Sequence, residues 1–91
     1  MFTVKITRQF KKDVELCRKR GLDTTLLRKA ILILSETGTL PDSYRPHKLA
    51  GDYAGHWEAH LQSDWLLVWK KETKTLILTM TATGTHADLF G

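Results

Sequence analysis

The stretch Gly55-His56-Trp57-Glu58-Ala59-His60-Leu61-Gln62-Ser63-Asp64-Trp65-Leu66-Leu67-Val68-Trp69 decides the fold. Trp57, Ala59 and Leu61 alternate with Glu58, His60 and Gln62, which predicts a strand with one apolar and one polar face. Ser63-Asp64 supplies turn chemistry. Trp65 to Trp69 is aromatic and aliphatic throughout, which predicts a central strand covered on most of its surface. The resulting hairpin carries His60 on its polar face and Asp64 at its tip. A histidine and a carboxylate on a rigid hairpin can begin proton-transfer chemistry. The same two residues also read as a solvated imidazole and an ordinary turn aspartate.

Upstream, Phe2, Val4 and Ile6 alternate with Thr3 and Lys5, an opening strand with one apolar face. Thr7 can cap the helix that follows. Phe10, Val14 and Cys17 recur at helical spacing, and Gly21 is a natural stop. Asp23 caps a second helix, whose stripe is Leu26, Leu27, Ala30, Ile31 and Leu34, and Gly38 ends it. Cys17 reads as a small core residue. Residues 39–56 lack a sustained period and contain Pro41, Pro46, Gly51 and Gly55. So long a loop in so small a domain is more often functional than filler. It mixes Arg45, His47 and Lys48 with the rings of Tyr44 and Tyr53, a composition suited to an RNA backbone with exposed bases.

Downstream, residues 70–74 read as a polar turn and 75–83 as a strand, with Leu76, Leu78, Met80 and Ala82 on one face. Residues 84–91 hold His86 and Phe90, which suggests a tail that docks. The order predicts an α+β domain: two helices packed on one face of a mostly antiparallel, twisted sheet, the other face partly open.

At 91 residues the chain is long enough for one domain, residues 1–91, with one core. A lone cysteine, Cys17, excludes an internal disulfide. Met1 to Ile6 does not resemble a signal peptide, and no apolar run approaches ~20 residues. A cytoplasmic protein without a membrane span is expected. The net charge of +4 points to a polyanionic partner.

Three blocks carry a resemblance: His47-Lys48-Leu49-x-Gly51; Gly55-x-x-Glu58-x-His60-Leu61-x-x-Asp64-Trp65-Leu66-Leu67; and Thr83-Gly84-Thr85-His86-Ala87-Asp88-Leu89-Phe90. Together with the order of elements they resemble the YafQ toxins of the RelE superfamily over nearly the whole chain. The resemblance implies a RelE-like fold and a ribosome-dependent, metal-free mRNA endonuclease without a cofactor. It also implies a cognate antitoxin, acidic and DNA-binding, as partner. The family's functional positions fall on His47, His60, Asp64, Trp65, His86 and Phe90. One departure is Ala82, where the family commonly carries arginine. Lys48 and Arg45 are the candidates to replace its charge.

The chemistry is sound in itself. Metal-free RNA cleavage uses the adjacent 2′-hydroxyl as nucleophile and needs a base, an acid and positive charge. Imidazoles serve as either acid or base near neutral pH. His86 is expected as acid, and Asp64 or His60 as base. His47 and Lys48 are expected at the phosphate. Trp65 is expected to brace the hairpin or support a base, and Phe90 to stack on a base or pin the tail. Two other classes compete: an inert module that binds an antitoxin or RNA, and a metal hydrolase using His47, His60, Asp64 and His86.

Overall fold

The computed structural model describes residues 1–91. The elements are β1 (Thr3–Ile6), α1 (Arg8–Lys19), α2 (Thr24–Thr37), β2 (His47–Lys48), β3 (His56–Gln62), β4 (Trp65–Glu72), β5 (Ile77–Gly84) and α3 (His86–Phe90). The five strands form one sheet in the order β1-β5-β4-β3-β2. Only the β1–β5 pair is parallel.

The helix limits follow from side-chain caps. Thr7 Oγ1 accepts the Phe10 N–H, and Asp23 accepts the Thr25 N–H. Each satisfies one of the donors that a helix start leaves free. Gly38 closes α2 at φ 76, a left-handed conformation that costs glycine little. Phe10, Cys17, Leu27, Ala30 and Leu34 then face Ala59, Trp65, Leu67, Trp69, Leu78 and Met80 across one core. Phe2 and Val4 pack on that core, but Ile6 leaves it and is 48% exposed.

Two corrections concern the strand limits. Residues 70–72 are not turn but the end of β4, where Lys70, Lys71 and Glu72 pair with Thr79, Leu78 and Ile77. Leu76 is in the turn, at φ 55, so β5 starts at Ile77. Polar side chains hid the end of β4, since ladder bonds need only backbone.

A third correction decides the site. The β4–β5 register runs Val68↔Ala82 and then Trp69↔Met80, leaving Thr81 as an extra residue. Such a bulge reverses which side the following residues face. Leu78 and Met80 face the helices, as expected, but Ala82 does not. It lies on the second face with Val68, and Thr83 turns to the helices instead. Helix α1 fastens the bulge from both sides: Thr7 Oγ1 donates to the Thr81 carbonyl, and the Thr83 N–H donates to Asp13 Oδ2.

The second face is less open than its composition suggests. Leu66 and Val68 are fully buried, and Glu58 is 5% exposed. The tail folds as α3, and the loop ring Tyr53 meets Phe90 edge-on at 5.6 Å and His56 at 5.8 Å. Loop and tail together roof this face.

Candidate active site

Alternation along β3 puts His56, Glu58 and His60 on the second face, in rows with Lys70, Val68 and Leu66 of β4. Across β5 those rows end at Thr79, Ala82 and Gly84. His86 follows Gly84 by two residues and so reaches back over the same face.

Asp64 sits in the Ser63-Asp64 turn, with its side chain 62% exposed. Its Oδ1 accepts the His86 backbone N–H at 3.0 Å and the His86 ring Nδ1–H at 2.8 Å. These two hydrogen bonds from His86 hold the Asp64 carboxyl below the ordinary carboxylate range. Because Nδ1 carries the proton given to Asp64, the ring's Nε2 is left for other chemistry. The ring centroid of His60 is 5.9 Å from that of His86. His60 Nδ1 is buried without a partner. His60 and Leu61 also border a cavity of about 370 Å³ with Lys29, Ser43 and Tyr44.

His47 lies one row away on the same face. The two-residue strand β2 pairs His47 with Glu58, and His47 Nε2 is 3.2 Å from Glu58 Oε1. Its Nδ1 donates to the Arg45 carbonyl at 3.2 Å. Arg45 adopts φ 50, unusual for a residue with a side chain. It is the Arg45 backbone that holds His47, while the guanidinium side of this exposed residue makes no hydrogen bond or ion pair.

Three expected residues are placed differently from one another. Lys48 pairs with Trp57, so it faces the helix side of the sheet, and its Nζ stands 5.6 Å over the Trp57 ring. Neighbours in a strand point to opposite faces, so Lys48 is separated from the imidazole next to it in sequence. Trp65 is 1% exposed. Its Nε1–H donates to Thr83 Oγ1 at 2.9 Å, and that hydroxyl donates to the Leu66 carbonyl at 2.6 Å. From inside the core it ties β4 to β5. Phe90 pins the tail on Tyr53 and is still 47% exposed.

Beyond its place in the resemblance block, nothing in the sequence assigns Glu58 a role. It is 5% exposed beside His47, a pairing across the sheet that no local pattern announces. Arg20 was also passed over. It donates to both carboxylate oxygens of Asp88, from Nη1 at 2.6 Å and Nη2 at 3.2 Å.

Residues 2–91 match the family model described as the bacterial toxin of type II toxin–antitoxin systems, YafQ. The chain is 40% identical over 84 residues to the mRNA interferase toxin YafQ of Escherichia coli K12, covering 91% of this chain and 89% of that one. It superposes on YafQ in the crystal structure of the E. coli DinJ–YafQ complex with a TM-score of 0.88 at 36% identity, over 100% of both chains. A metal-bound toxin from Helicobacter pylori gives a TM-score of 0.89 at 32% identity, over 99% of this chain and 100% of that one. Sequence, fold and chain length therefore agree, and this chain belongs to the YafQ toxin family of type II toxin–antitoxin systems.

Proposed function

We propose that this toxin cleaves mRNA on the ribosome by metal-free acid–base chemistry. One observation carries the reading. Asp64 fixes the His86 ring through Nδ1, and a second imidazole, His60, stands beside it at 5.9 Å between centroids.

In this mechanism the 2′-hydroxyl attacks the adjacent phosphorus, its proton passes to a base, and the departing 5′-oxygen receives a proton. His86 donates that proton from Nε2, because its Nδ1 is engaged by Asp64. Asp64 is a poor base itself, since both contacts from His86 depress its proton affinity. The base is therefore His60. His47 supplies positive charge near the phosphate, and Phe90 holds the tail and offers its exposed ring edge to a base. Ala82 contributes no charge, so fewer cations face the transition state than an arginine there would provide.

The partner is an antitoxin whose acidic residues complement the +4 chain and which covers the imidazole face. Its DNA-binding character is part of the same proposal.

Purified protein added to a translation reaction tests this. Messages cut at defined positions, in the presence of EDTA and only on ribosomes, are the expected result. Intact messages overturn it and favour an inert binding module, for which the methyl side chain of Ala82 on the imidazole face is the supporting observation. Cleavage abolished by EDTA overturns the metal-free step.

A further inference from the structure

His86 is held at its backbone and ring by Asp64, but Asp64 is an exposed turn residue and α3 is only five residues long. So short a helix has no stability of its own. Phe90 pins the far end of the tail on Tyr53, and a further contact fixes the end that carries His86.

We propose that Arg20 and Asp88 form a clamp that sets the position of His86, making both positioning residues of the cleavage site. The proposal rests on the nuclease reading above. Asp88 is joined in three directions. Its Oδ2 accepts the Thr85 N–H at 3.0 Å, while Thr85 Oγ1 accepts the Asp88 N–H at 3.1 Å. This reciprocal cap encloses His86, which lies between the two residues in sequence. Its two oxygens also take the forked guanidinium of Arg20. Its carboxylate lies flat on the end of β5: a Cβ at Gly84 would stand 2.9 Å from Asp88 Oδ2. Arg20 in turn is the C-terminal cap of α1, its N–H shared by the Leu16 and Cys17 carbonyls, and Cys17 is in the core. A line of direct bonds thus runs from the core, through α1 and Arg20, to the two residues that bracket His86.

An exposed ion pair of this kind adds little to global stability. Its effect here is geometric. Asp64 anchors His86 from the hairpin and Arg20 anchors the tail from the helix layer. The imidazole is fixed by two bodies that the core holds rigidly apart. The guanidinium bond also keeps Asp88 ionised, its carboxyl lowered to about 2, so that the clamp stays closed at every pH at which the imidazoles change charge.

Arg20→Ala, Arg20→Lys and the intact protein are to be compared by cleavage of ribosome-bound message and by ring ¹⁵N signals of His86. Arg20→Ala is expected to lower kcat by about 10- to 100-fold with KM unchanged, and to shift the His86 Nδ1 signal away from its hydrogen-bonded position. Arg20→Lys restores the ring signal and kcat in part, since an ammonium cannot make the fork. Unchanged His86 signals in Arg20→Ala overturn the clamp. So does a loss confined to KM, which would make Arg20 an RNA contact, or unchanged kcat despite shifted signals. If the intact protein cuts no RNA, the nuclease reading fails by itself, and the ring signals alone decide the clamp.

Discussion

A single oxygen of Asp64 receives two hydrogen bonds from His86, one from the backbone N–H and one from the imidazole. The carboxylate therefore selects both the tautomer of the ring and its direction. Both hydrogen bonds to the residue thus converge on one atom of the hairpin turn.

Asp64→Asn tests this pairing. The amide oxygen can still accept one bond, so the fold should persist, but the negative charge held against the imidazole is lost. Cleavage should fall by at least about 100-fold, measured as the rate of message cutting at saturating ribosomes. A rate equal to that of the unaltered protein would remove the Asp64–His86 pair from the mechanism.

Ala82→Arg addresses the missing cation. Residue 82 lies on the imidazole face because of the Thr81 bulge, in one row with Val68 and Glu58. An arginine there would bring its charge next to the proposed phosphate position, with Glu58 as an available partner. Message cleavage should rise, by about tenfold or more. No rise would show that position 82 takes no part in catalysis in this chain.

Trp65→Phe separates bracing from RNA contact. The indole N–H bond to Thr83 is lost inside the core, and a smaller ring leaves a void. A loss of about 1–3 kcal/mol in urea unfolding is expected, with KM for message unaltered. A changed KM at intact stability would instead place Trp65 on the RNA.

The carboxyls give an acid limb to stability. Asp88 is lowered from 3.8 to about 2, and Asp64 and Asp23 are lowered from the same value. A depressed folded-state value means that the unfolded chain binds protons first as pH falls. The stabilisation is therefore complete above about pH 4 and drains away between pH 4 and pH 2. Asp88→Asn should make that slope shallower in acid-unfolding curves. An unchanged slope would deny the Arg20 bond its effect.

What could be read in the sequence was whatever depends on neighbours along the chain. Thr7, Asp23 and Gly38 marked helix ends because capping is local, and the stripes of α1 and α2 followed the helical period. The hairpin and its turn were equally plain. What could not be read depends on pairing across the sheet. The Thr81 bulge turned Ala82 away from the face shared by Leu78 and Met80, and nothing in residues 75–83 announces it. Lys48 and His47 looked like one basic pair, yet their pairing with Trp57 and Glu58 sends them to opposite faces. Glu58 stands on the polar face of its strand, and its burial beside His47 comes from the pairing of β2 with β3. His60, His86 and Asp64 are distant in sequence, and it was the family resemblance, not their spacing, that named them together.

The last strand in the chain is an inner one: β5 pairs with β1 on one side and β4 on the other, and α3 follows it. While the protein is being synthesised, β1 has no partner and His86 has not yet emerged. Joining β1 to the other strands and seating His86 against Asp64 therefore both wait for residues 77–90.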